Sequence, residues 1–191
     1  MIAVETVIIM ILAEAVKKGG QAGNEWQQAS MTTLEISLHA EELIRQTKER
    51  AWETMPASWV RPHKDGMIPV YGRNEIDYIS FSEFDAMARI VFSEAKTEAF
   101  EGKVAVAEVI LNRVESSSFP DTIEAVIGQE NAFSTYGASG AAPLDTECME
   151  AVQEALNESI LPYDVVYFRE GHFHTFGTPY IVIGNHYFSR E

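Results

Sequence analysis

Apolar residues recur at helical spacing through most of this chain and at strand spacing only near its end. Residues 1–18 are apolar-rich and stop at Gly19-Gly20, which predicts a helix. Residues 31–54 predict a second, amphipathic helix with Leu34, Leu38, Ile44 and Trp52 on its apolar face. Met55 to Tyr71 carries Pro56, Pro62, Gly66 and Pro69 and reads as a loop or linker, with a domain boundary expected near 75–80. Ser82-Glu83-Phe84-Asp85 has the form of an N-cap followed by acidic residues in a first turn, and the helix it opens is expected to run to about Thr97. A helix from Glu101 to Val114 is apolar almost all round and therefore belongs at the centre of a core. Ser116 to Pro120 breaks it, Thr122 to Ile127 predicts a short helix, and Thr146 to Glu158 a longer one. After Pro162 the period changes. Val165 to Phe168 and Tyr180 to Ile183 are β-branched and aromatic and predict strands. The pattern predicts an α+β fold, mostly helical, with a small β element near the C-terminus. The division it implies is an N-terminal helical extension over 1–78 and a second domain over 79–191.

Charge narrows the partners. Lys and Arg number 14 against 29 Asp and Glu, a net charge of −15, and most of the excess falls after residue 80. Such a surface repels phosphate backbones and anionic membranes, so neither nucleic acid nor a membrane surface is an expected partner. Cys148 is the only cysteine, which rules out an intrachain disulfide and a cysteine zinc cluster. Near the N-terminus the charge-free stretch, Thr6 to Ala13, is too short to span a bilayer, and no basic residue precedes it. The expectation is synthesis in the cytoplasm without a recognisable signal peptide, and no membrane insertion.

The helix opened at Ser82 carries the first candidate for chemistry. At about 100° per residue, Glu94 falls about 40° from Ile90 and before Val91, in the middle of the apolar face, and Glu98 falls at about 80°. Burial there would raise a carboxyl pKa, and a like charge one turn on acts in the same direction. A protonated glutamate near neutral pH is what a general acid requires. The alternative is a helix that ends early and leaves both carboxylates in water.

Longer motifs weigh more than this pattern. Ala88-Arg89-Ile90-Val91-Phe92-Ser93-Glu94-Ala95, then Glu98, then Phe100-Glu101-Gly102-Lys103-Val104-Ala105-Val106-Ala107 and Val109-Ile110-Leu111-Asn112-Arg113-Val114 resemble the SleB/CwlJ family of cell wall hydrolases. Ser118-Phe119-Pro120-Asp121-Thr122-Ile123, Val126-Ile127 and Ala132-Phe133-Ser134 continue the resemblance. His174, Phe176-Gly177, Pro179-Tyr180 and Ile183-Gly184-Asn185-His186-Tyr187-Phe188 look like the ending of the CwlJ branch. The resemblance spans residues 84–189. It implies a lysozyme-like, lytic-transglycosylase-like catalytic domain acting on peptidoglycan, at the bond between N-acetylmuramic acid and N-acetylglucosamine. The family's catalytic glutamate opens a Glu-Ala-Arg-Gly-Glu motif and falls on Glu94. Here Lys96 and Thr97 replace the Arg and Gly, and Asn131 is a further departure before Ala132. The setting implied is the cell wall or spore cortex, though a phage endolysin fits equally. Residues 1–78 match nothing in the family, and docking to a protein partner is one role open to them.

With Glu94 as the catalytic residue, the resemblance implies proton donation to the glycosidic oxygen, then attack by the muramic acid 6-hydroxyl to give a 1,6-anhydro product. Hydrolysis of the lysozyme type needs a second carboxylate or a positioned water across the sugar. Glu98 lies only about 6 Å along the helix axis, beside Glu94, which favours transglycosylation. Glu98 is then expected to tune Glu94 or to bind substrate. Phe133, Ser134 and Tyr136 sit in a loop suited to sugar contacts, by stacking and by hydroxyl hydrogen bonds. His186 and Tyr187, with Asn185, either line the cleft or lock the β element. Asn112 and Arg113 on the buried helix read as structural. His172 and His174 share a face if they lie on a strand, and with His186 would make a zinc site, pointing to an amidase or peptidase. No His-Glu-x-x-His supports that, and no Gly-x-Ser-x-Gly elbow surrounds Ser134. No metal or cofactor is therefore expected. An acidic, non-enzymatic interaction protein is the remaining alternative.

Overall fold

The computed structural model describes Glu42, Gln46, Trp59, Pro62, His63, residues 65–130, Ala132, Phe133 and residues 142–191. The chain divides into two compact units, Met1–Ala57 and Ser58–Glu191. In the first, Glu42 and Gln46 are helical, and Gln46 Nε2 donates to Glu42 Oε1 at 2.8 Å across one turn. The rest of the two helices expected before residue 55 lies outside the described residues. Among the described residues no helix is long and apolar enough to cross a membrane.

The second unit begins at Ser58, ahead of the boundary expected near 75–80, because part of the expected linker is built into its core. Strands β1 (Met67–Pro69) and β2 (Tyr78–Ser80) pair antiparallel with Ile68 opposite Ile79, and both isoleucines are buried. Trp59 is buried as well, its ring 6.3 Å from that of Phe84. Strands of three residues are too short to show a period of two, which is why the region reads as loop.

Helix α1 (Phe81–Ala95) starts two residues earlier than its sequence suggests. Its cap is Ser80, not Ser82. The Ser80 hydroxyl accepts from Glu83 N at 3.2 Å, and Glu83 Oε2 accepts from Ser80 N at 2.7 Å, a reciprocal capping box. The Ser82 hydroxyl lies 2.9 Å from that of Ser80 and supports the cap from beside it. The helix also ends early, at Ala95, so Glu98 lies beyond it in the turn to α2 (Phe100–Glu115).

Helix α2 is buried from Gly102 to Val114, as its apolar circumference requires. It packs against α1, a short α3 (Ile123–Ile127), α4 (Thr146–Asn157) and strand β3 (Val165–Glu170). Its polar residues are matched one by one. Lys103 Nζ donates to Glu98 O at 2.8 Å and to Glu147 Oε2 at 2.9 Å. Glu108 accepts from Ile160 N at 2.6 Å and Leu161 N at 2.7 Å, and burial still raises its pKa. Asn112 Nδ2 donates to Pro162 O and Val165 O, and its Oδ1 accepts from Arg73. Asn112 is thus the structural residue expected, tying α2 to the start of the sheet.

The β element is a three-stranded antiparallel sheet in the order β3-β5-β4, with β4 at Thr178–Ile183 and β5 at His186–Arg190. The central strand, β5, is the one that strand patterning did not predict, because it is short and half polar. The β4–β5 turn is pinned to the turn after α1. Glu98 Oε2 accepts from Asn185 N at 2.9 Å and Oε1 from Asn185 Nδ2 at 3.0 Å. Gly184, at φ +58°, has no room for a Cβ, which would run into the Glu98 carboxylate. The observed architecture is α+β, helical at its centre with a small sheet, as the patterning predicts.

Candidate functional site

Ser93 and Glu94, in the last turn of α1, border a cavity of about 620 Å³. Its opposite walls come from β3, from the β3–β4 loop and from the segment after α3. Glu94 is half-buried there, while Ile90 and Val91, its neighbours on the helical wheel, are sealed in the core. The helix thus aims one carboxyl group from an apolar face into a space open to a ligand. Arg113, from the last turn of α2, forms the floor beside it.

Arg113 is only 6% exposed. Its Nε–H donates to Val166 O at 2.8 Å and its Nη1 to Ala132 O at 3.5 Å. Its guanidinium carbon lies 5.2 Å from the Phe119 ring centre and 5.1 Å from that of Phe133. Burial holds its pKa down to about 10, against the raising effect of nearby Tyr167 and Glu94, so it is a cation at neutral pH.

The aromatic wall is made by Phe119, Tyr167 and Phe176. Tyr167 meets Phe176 edge to face at 5.0 Å and lies 6.0 Å from Phe119. His174 stacks on Phe176 at 4.5 Å, and its Nε2 lies 3.1 Å from Phe168 O. Aromatic faces bordered by polar groups suit sugar rings. Two further carboxylates, Glu130 and Glu170, also line the cavity.

His186 borders the cavity while only 4% exposed, and its Nδ1 has no hydrogen-bond partner among the described residues. Several other expected site residues lie elsewhere. Tyr187, next along β5, points to the other face of the sheet and meets Phe173 edge-on at 5.0 Å. Phe133 is core: it is 4% exposed and packs behind Arg113 against Phe168. Glu98 does not border the cavity. Both its oxygens are occupied by Asn185, and the Asn185 N–H, ahead of the opposing cost of burial, holds its carboxyl below the ordinary value of 4.5. Ser134 and Tyr136 lie outside the described residues. His172 and His174 are in the β3–β4 loop, not on a strand, and His172 is exposed. Among the described residues no three His, Cys, Asp or Glu side chains converge as metal ligands would.

Arg113, Tyr167, Phe119, Glu130 and Glu170 are site-lining residues that sequence reasoning missed. Arg113 and Tyr167 sit in apolar segments that read as core, and only the packing of β3 against α2 turns them toward a shared space. His174 and Phe176 had a signal, in the C-terminal motifs.

A family model described as a cell wall hydrolase matches residues 97–189. The spore cortex-lytic enzyme of Oceanobacillus iheyensis is 45% identical over 80 residues, which is 41% of this chain and 29% of that protein. The spore cortex-lytic enzyme of Bacillus subtilis is 39% identical over 80 residues, 41% of this chain and 26% of that protein. The chain thus spans under a third of the length of these curated relatives. Among solved structures, the catalytic domain of the Bacillus cereus SleB protein matches with a TM-score of 0.55 and 31% identity, covering 63% of this chain and 99% of that one. The catalytic domain of the germination-specific lytic transglycosylase SleB from Bacillus anthracis matches with a TM-score of 0.53 and 32% identity, over 59% and 97% of the two chains.

Proposed function

This chain belongs to the cell wall hydrolase family represented by the SleB catalytic domains, and on that footing we propose that it cleaves peptidoglycan glycan strands as a lytic transglycosylase, with Glu94 as acid and then base. The observation that carries the reading is Glu94 itself, a half-buried carboxyl aimed from the end of α1 into a cavity walled by aromatic rings. The Glu94 carboxyl gives its proton to the glycosidic oxygen as the bond from C1 of N-acetylmuramic acid to that oxygen breaks. The bonding electrons leave with the oxygen of N-acetylglucosamine. The Glu94 carboxylate then takes the proton of the muramic acid 6-hydroxyl, whose oxygen bonds to C1. The product is a 1,6-anhydro end, no water is consumed, and Glu94 is protonated again. Tyr167 and Phe176 stack on sugar rings. The similarity to spore cortex-lytic enzymes points to cortex peptidoglycan as the substrate.

Hydrolysis is the second reading, and a specific feature favours it. Glu130 and Glu170 line the same cavity as Glu94, on other elements, which is where a second carboxylate would stand. One experiment separates the two. Full-length protein is incubated with purified cortex and with vegetative peptidoglycan, and the released muropeptides are read by mass spectrometry. Anhydro ends are expected, and Glu94→Gln is expected to lower the rate by roughly 10²- to 10⁴-fold, the contribution of a positioned acid. Reducing ends, abolished by Glu130→Gln or Glu170→Gln, would establish hydrolysis instead. Cleavage undiminished in Glu94→Gln would refute the role of Glu94.

A further inference from the structure

Arg113 stands out among the polar residues of α2 because its hydrogen bonds do not require its charge. Lys103 is paired with Glu147, and Asn112 links carbonyls, so each closes a contact between elements. Arg113 also bonds two carbonyls, those of Val166 and Ala132. A neutral amide does that work without the cost of burying a cation. The guanidinium is instead buried, clamped between the Phe119 and Phe133 rings, and still borders the cavity. Carbonyl bonds and stacking rings fix its position, since the planar fork loses little freedom on ordering. The carboxyl group that projects into the same space from α1 is that of Glu94.

We infer that Arg113 is a positioning residue for Glu94: its fixed positive charge orients the Glu94 carboxyl in the cavity and stabilises the carboxylate left when the proton moves to the glycosidic oxygen. The inference rests on the acid role proposed for Glu94 and adds the group that makes it effective. The guanidinium exchanges no proton. Negative charge appears on Glu94 as the glycosidic bond breaks, and a pre-oriented cation meets it without reorganisation. Such an interaction strengthens toward the transition state, so it acts on kcat rather than on KM.

The test sets charge against hydrogen bonding, using full-length protein and solubilised peptidoglycan glycan strands. Arg113→Gln keeps a neutral donor for the Val166 carbonyl and loses the charge. Arg113→Lys keeps the charge and weakens the stacking and the fork. Arg113→Gln is expected to lower kcat by roughly 10- to 100-fold, part of the effect of a positioned acid, with KM changed by less than about twofold. Arg113→Lys is expected to recover most of that loss. A purely structural tie predicts the opposite order, with Gln at least as active as Lys and activity tracking the melting temperature, and that order overturns the inference. If Arg113→Gln does not fold, Arg113→Lys decides. A kcat within about threefold of wild type supports the inference, and any larger fall overturns it. Glu94→Gln is assayed alongside. If it is as active as wild type, the acid role itself fails; if it is inactive while Arg113→Gln is unimpaired, only the role of Arg113 fails.

Discussion

Glu98 and Glu94 are four residues apart, yet the fold puts them to different uses. Glu94 borders the cavity, while Glu98 holds the β4–β5 turn through two hydrogen bonds to Asn185. Replacing Glu98 by Gln turns one acceptor into a donor facing an N–H, and a buried mismatch of that kind costs about 1–3 kcal/mol. Chemical denaturation of Glu98→Gln is expected to show that loss. The pH dependence follows from the direction of the Glu98 shift. Its folded pKa lies below the ordinary 4.5, so its stabilisation is fully present above about 4.5 and is lost as pH falls through the folded value. The wild-type melting temperature should therefore fall more steeply below pH 4.5 than that of Glu98→Gln. Gly184→Ala tests the same clamp from the other side: a positive φ and a Cβ driven into Glu98 are expected to cost more than about 1 kcal/mol. None of this was legible along the chain. The helical wheel carried on past Ala95 and put Glu98 beside Glu94, because the wheel has no knowledge of a partner 87 positions away.

Helices α2 and α4 match their sequence patterns to within a residue or two, since each buries a broad apolar face and that periodicity is visible in any window. The start of α1 is ambiguous in sequence because two serines, at 80 and 82, stand near it, and the choice between them rests on which hydroxyl meets the free N–H of Glu83. Ser80→Ala is expected to cost about 1 kcal/mol in denaturant unfolding, and Ser82→Ala distinctly less. Strand β5 was not predicted as a strand, although His186 and Tyr187 were read as candidate cleft residues. Their division of labour then follows from alternation: His186 turns to the cavity and Tyr187 to Phe173.

Ser58–Glu191 is one compact unit, so a fragment of those residues is expected to unfold cooperatively on its own, with a single transition by calorimetry. The net charge of −15 bears on activity as well. Peptidoglycan carries carboxylates on its stem peptides, so under the proposed function this chain and its substrate repel at long range. Raising ionic strength from about 10 mM to about 150 mM shortens the screening length from roughly 30 Å to roughly 8 Å and is expected to raise the rate on insoluble sacculi. A rate that falls steeply with salt would contradict that picture.

Helix content, the central place of α2, the late β element and the candidacy of Glu94 are all readable along the chain, because each depends on residues close in sequence or on a contiguous motif. Notably, the family-model match begins at residue 97, just after Glu94, so the helix pattern and the motif around Ser93-Glu94-Ala95 carry that residue. The company Glu94 keeps is different. Arg113 beneath it, Tyr167 and Phe176 beside it, Glu130 and Glu170 in the same cavity, and the withdrawal of Glu98 into a clamp all depend on α2, β3 and β5 packing from distant parts of the chain. Local periodicity decides which face of an element is apolar. Only packing decides which polar groups are left facing one another across a space.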